Sequence, residues 1–127
     1  MKDDEMRAML IEFMGKGFLE NIVALFKQEP ELARFIPDMI GQENIGVRLG
    51  TTALVEEMAT GYREILGHAV PGLLEMLHEA NPTLRGDAAY LLGLIKGPSV
   101  REALTRSLQD PNTAVREIAT EALKELG

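Results

Sequence analysis

A chain of 127 residues is long enough to bury one continuous core without staples. Its 46% hydrophobic and 26% charged residues exclude a disordered, collagen-like or membrane-spanning class, and the absence of Cys removes disulfides, Cys-based zinc sites and thiol nucleophiles together. With 20 Asp and Glu against 13 Lys and Arg, the net charge of −7 argues against nucleic acid and anionic membranes as partners. Two His and no Trp leave little from which to build an active site, so no catalytic residue, metal or cofactor is expected. The acidic start Met1-Lys2-Asp3-Asp4-Glu5 lacks the basic character of a leader, and no apolar run approaches a membrane span, so a cytoplasmic location is expected.

Residues 1–29 read as a hairpin of two helices. Met6, Met9, Leu10, Phe13 and Met14 share one helical face, Gly15-Lys16-Gly17 turns the chain, and Phe18, Leu19, Ile22, Val23, Leu25 and Phe26 follow. The Gly-Lys-Gly stretch lacks the full spacing and terminal Ser or Thr of a phosphate loop, and is a turn. The Met residues favour a core face over a binding surface, since Met fills irregular gaps.

From residue 30 a unit recurs. The segments Asn44-Ile45-Gly46-Val47-Arg48, Asn81-Pro82-Thr83-Leu84-Arg85 and Asn112-Thr113-Ala114-Val115-Arg116 all read Asn-x-x-apolar-Arg, at intervals of 37 and 31 residues. Such intervals mark a stacked array of helical units. Behind each Arg an apolar stripe keeps helical period: Thr51, Leu54, Val55 and Met58, then Ala88, Leu91, Leu92 and Ile95, then Ala119, Ala122, Leu123 and Leu126. Each Asn reads as the N-cap of that second helix, and Pro82 suits the first helical position. A first helix precedes each copy, with Ile36 and Ile40, Leu73 and Leu77, and Leu104 and Leu108.

The spacing predicts helices over 30 to 41 and 45 to 60, 62 to 79 and 82 to 96, and 99 to 109 and 112 to 126. The long segment 62 to 79 is expected to be one helix kinked at Pro71, with a break at Gly67-His68 as the competing reading. One domain over 1–127 is expected, made of a divergent N-terminal hairpin (1–29) and three repeats (30–61, 62–98 and 99–127).

These residues resemble the HEAT-repeat family, most closely its short HEAT-like variety related to the bilin lyases. The likeness rests on Pro71, Asn81, Pro82, Leu84 and Arg85, and on Asp110, Pro111, Asn112, Val115 and Arg116; over 30 to 60 it is looser, because Pro37 is out of register and Gln42 stands where the turn Asp would be. The resemblance implies an all-α, right-handed α-solenoid of about four helical hairpins. It also implies a structural ladder of Asn44, Arg48, Asn81, Arg85, Asp110, Asn112 and Arg116, in which each Arg reaches a turn carboxylate across a repeat boundary, with Glu43, Glu79 and Asp110 as acceptors.

His78-Glu79 is a single pair, too few for the two-iron site of the HEAT-repeat hydroxylases, and His78 reads as a helix C-terminal cap. Stacking the second helices in register aligns Gly50, Asp87 and Ile118, then Ala53, Tyr90 and Glu121, then Glu57, Leu94 and Glu125. A concave, acidic face with apolar spots results, and Glu57, Asp87, Tyr90, Leu94, Ile118 and Glu121 are the candidate partner-binding residues. The expected function is a non-catalytic scaffold for a partner protein or a basic or amphipathic peptide. The alternative is an accessory subunit of an enzyme such as a tetrapyrrole (bilin) lyase; recognition of DNA lesions needs a basic groove, which the charge opposes. The C-terminal repeat, with no capping unit after it, is expected to support self-association or to dock on a partner.

Overall fold

Asp3, Asp4 and Glu5 open helix α1 (Asp3–Gly15), where negative charge meets the positive end of the helix dipole. Its far end is a Schellman stop in this computed structural model, which describes all of residues 1–127. Gly17 adopts φ +84°, its N–H donates to the Met14 carbonyl at 3.0 Å, and the Phe18 N–H donates to the Phe13 carbonyl at 3.0 Å. The Phe18 ring then meets Phe13 edge to face, with 5.8 Å between centroids, and α2 (Leu19–Gln28) runs back.

Both prolines expected inside first helices sit instead at helix starts. Residues 30 to 41 form a 3-10 turn (Pro30–Phe35) followed by α3 (Ile36–Ile40), with Pro37 as its second residue. After the first of the second helices, α4 (Ile45–Met58), come α5 (Arg63–Leu66), a 3-10 turn (Gly67–Ala69) and α6 (Val70–Met76), with Pro71 as the second residue of α6. The expected single helix kinked at Pro71 is therefore corrected: the break lies at 67–69. The reason is that proline costs nothing in a first turn, whereas in a helix interior it removes a hydrogen bond and clashes one turn back. The two 3-10 turns pack on each other, so both first helices share one construction although Pro37 and Pro71 lie at different distances from their Arg.

The chain ends with α7 (Pro82–Ile95), α8 (Val100–Ser107) and α9 (Thr113–Leu126). The pairs α3/α4, α6/α7 and α8/α9 are hairpins, while α1 and α2 pack against the exposed flank of α4. Asn44, Asn81 and Asn112 cap the three second helices, their side-chain oxygens accepting from the N–H groups of Val47 (3.1 Å), Thr83 (2.8 Å) and Val115 (3.2 Å). One apolar core runs through the stack from Leu10 to Ala122 and includes Phe26, Ile36, Leu54, Leu66 and Leu92. Thr51 is the buried polar residue, and its hydroxyl donates to the Val47 carbonyl at 2.7 Å. In the C-terminal hairpin, Val100, Leu104, Val115 and Ala119 are buried and Ile118, Leu123 and Leu126 half-buried, so the apolar patch expected there is largely covered. The large apolar side chains that do face outward on a second helix are Ile45 and Leu49 of α4, 62% and 64% exposed.

Candidate functional site

Three arginines follow the second-helix caps, and two of them, Arg48 and Arg85, join neighbouring units. The Arg85 guanidinium holds the Asp110 carboxylate in a two-pronged bond, Nε to Oδ2 at 2.8 Å and Nη2 to Oδ1 at 3.0 Å. Its Nη1 donates to the carbonyls of Glu79 and Ala80, both at 2.8 Å. Only 14% of the Arg85 side chain and 10% of that of Asp110 remain exposed. The Arg85 hydrogen bond, aided by the Asn112 N–H at 2.9 Å, holds the Asp110 carboxyl below the ordinary carboxylate range against the opposing effect of burial.

Arg116 stays within its own unit, donating to the Asp110 carbonyl at 2.7 Å and the Thr113 hydroxyl at 2.9 Å. Arg48 reaches forward to Asp87 at 2.7 Å, and its buried Nε has no partner. The acceptor set expected from the turns is thus corrected. Asp110 serves two arginines, Glu79 takes part only through its backbone carbonyl, and Glu43 is left exposed because Arg48 turns to α7.

The register of the first two second helices explains that turn. Arg48 pairs with Asp87 and Glu56 with Tyr90. Eight residues of α4, about 12 Å, thus face three residues of α7, about 4.5 Å. The two helices do not run as in-register neighbours, and long polar side chains span the difference. Between α7 and α9 the packing is close instead: a Cβ on Gly93 would lie 2.7 Å from the Ala122 Cβ, and one on Gly86 would lie 3.0 Å from the Ile118 Cδ1. No sequence reading singled out these two glycines, although their spacing of seven on one helix face was a usable signal.

Beside that contact lies a groove of about 520 Å³. Gly93, Leu94, Ile118 and Ala122 form its floor, and Tyr90, Glu117, Glu121 and Glu125 stand around it. Tyr90 is 40% exposed; its hydroxyl donates to Glu56 Oε2. That hydrogen bond first, then burial and the charges of Glu56 and Glu125, push the phenol up to about 12. Of the candidate binding residues, the structure gathers Tyr90, Leu94, Ile118 and Glu121 here. Asp87 is taken up by Arg48. Glu57 faces α2 on the other side of α4, where the shared hydrogen bond with Glu20, burial and the Glu20 charge raise its carboxyl above the ordinary range and Lys27 opposes them. Lys27 itself lies 4.2 Å over the Tyr62 ring.

His78 is exposed in the turn after α6, and no group of three or more His, Asp or Glu gathers in a metal-holding arrangement. No helix is long and apolar enough to cross a membrane.

Stacked helical hairpins with a shared core and capped, Arg-tied second helices define an α-solenoid, an all-α repeat protein. Residues 70–127, a little under half of the chain, match the family model described as HEAT repeats, which supports a HEAT-repeat helical protein. No curated protein and no solved structure matches it. HEAT repeats generally mediate contacts between proteins, and the family is typically non-catalytic.

Proposed function

We propose that this chain is a non-catalytic scaffold that binds a partner protein on the outward side of its second helices. The groove between α7 and α9 carries this reading: it combines an apolar floor with a carboxylate rim on the face that such arrays leave open to partners. Tyr90, Leu94, Ile118 and Glu121 are the contact residues; the Asn and Arg ladder is structural and holds the face in shape. We take the chain as a single domain of one divergent hairpin and three repeats, working in the cytoplasm. Self-association through the C-terminal repeat has weaker support, because its apolar residues are largely covered. A role beside a tetrapyrrole lyase stands on family likeness alone.

Site-specific photo-cross-linking in cells tests the reading. A cross-linker at Tyr90 or Ile118 should trap one discrete partner that the same group at Thr105, on the exposed side of α8, does not. Equal trapping from both sides would remove the groove as the binding face.

A further inference from the structure

The groove is apolar below and negative around, and none of its nine lining residues is cationic. Lys124 of α9, outside the lining, pairs with Glu121 of the rim at 3.2 Å on the surface, with both side chains well exposed, so a guest's cation would compete with it there. Glu117, Glu121 and Glu125 recur every four residues, so they line the α9 edge at steps of about 6 Å. On the opposite edge Tyr90 presents an exposed ring, and the carboxylates of Glu56 and Glu125 both act on its hydroxyl. Gly93 and Ala122, packed on each other, close the floor, and half-buried Leu94 and Ile118 offer a long side chain apolar walls above it.

A side chain suited to these surroundings has an aliphatic stem and a cationic head. Arginine and lysine are built that way, and a guanidinium gains further from an aromatic face. We infer that the groove receives a basic amphipathic helix of a partner protein, anchored by an Arg or Lys whose stem lies on Leu94, Ile118 and Ala122 and whose cation sits among Tyr90, Glu121 and Glu125. A helix fits because the trough runs along two helices and the glutamates keep helical spacing, which a partner's cations at every fourth position can follow. The anchor rests on the scaffold reading above and adds the chemistry of the guest.

Three synthetic helical peptides of equal length test it. All carry the same aliphatic stripe; the flanking positions are Arg in the first, neutral citrulline in the second and Glu in the third. Titrated into the isotope-labelled chain, the Arg peptide should shift the signals of Tyr90, Leu94 and Ile118. The citrulline peptide should bind about tenfold more weakly, and the Glu peptide not measurably. The double variant Glu121→Gln, Glu125→Gln, checked for unchanged circular dichroism, should lose about tenfold for the Arg peptide alone. Added salt should weaken the Arg peptide and leave the citrulline peptide unchanged. Equal binding of the Arg and citrulline peptides at the groove would overturn the cationic anchor and leave the scaffold reading standing. Shifts confined to Ile45 and Leu49, or none from any peptide, would overturn the anchor too, and the cross-linking comparison then decides the scaffold reading separately.

Discussion

Arg85 and Asp110 carry more of the seam than any other polar pair, because one guanidinium closes the turn of its own unit and clamps the turn of the next. The Asp110 carboxyl titrates below its unfolded value of about 3.8, so its contribution is fully present above that pH and is lost as the pH falls through the lower folded value. Unfolding free energies of wild type and Asp110→Asn, measured by urea at a series of pH values, should therefore differ at neutral pH and converge in strong acid. A constant difference across the series would contradict the clamp. Tyr90 has the opposite sign at the other end of the scale: the fold favours the neutral phenol, a contribution present below about pH 10 and lost as the pH rises toward about 12. In a Tyr62→Phe background, leaving Tyr90 as the single tyrosine, the phenolate absorbance should appear near 12 and move toward 10 on Glu56→Gln. At this scale the sequence was partly legible. The Asn caps were, because capping is settled within four residues. The acceptors of Arg48 and Arg116 were not, because they depend on how far one unit is displaced against the next.

The helices α7 and α9 approach closely because Gly93 lacks a side chain where Ala122 packs, and this contact also makes the groove floor. In a free helix, Gly→Ala gains about 1 kcal/mol. At Gly93 the added carbon would lie 2.7 Å from the Ala122 Cβ and 3.0 Å from its Cα, which cannot move without shifting α9. Gly93→Ala should thus destabilise by about 1 to 2 kcal/mol, the overpacking cost exceeding the propensity gain. Gly86→Ala meets the flexible end of Ile118 and should be close to neutral. Chemical denaturation of both variants checks the pair, and the reverse order would contradict the assigned contact. Element boundaries show why some of this was hidden. Second helices carry Asn caps and long stripes, so their positions were readable, whereas the first helices are cut by 3-10 turns at Pro30–Phe35 and Gly67–Ala69. Proline in a helical pattern signals both a kink and a start, and only the packing of the two turns on each other selects the start.

As a whole, the molecule has two unlike seams between its second helices. Arg48–Asp87 and Glu56–Tyr90 bridge α4 to α7 with long polar side chains, while glycine and alanine bring α7 and α9 together. The family match covers the closely packed part, and the looser likeness over residues 30 to 60 falls on the polar seam. The outward face follows from this division, with exposed Ile45 and Leu49 on α4, Tyr90 in the middle, and the glutamate edge on α9. Ile45 and Leu49 escaped the sequence reading because they lie beside a regular apolar stripe and look like its continuation. Methyl NMR of the chain alone and saturated with the partner recovered by cross-linking tests the central claim most directly. The methyl signals of Leu94, Ile118, Ala114 and Ala122 should change, and those of Val100 and Leu104 in α8 should not; changes confined to α8, or to Ile45 and Leu49, would contradict it.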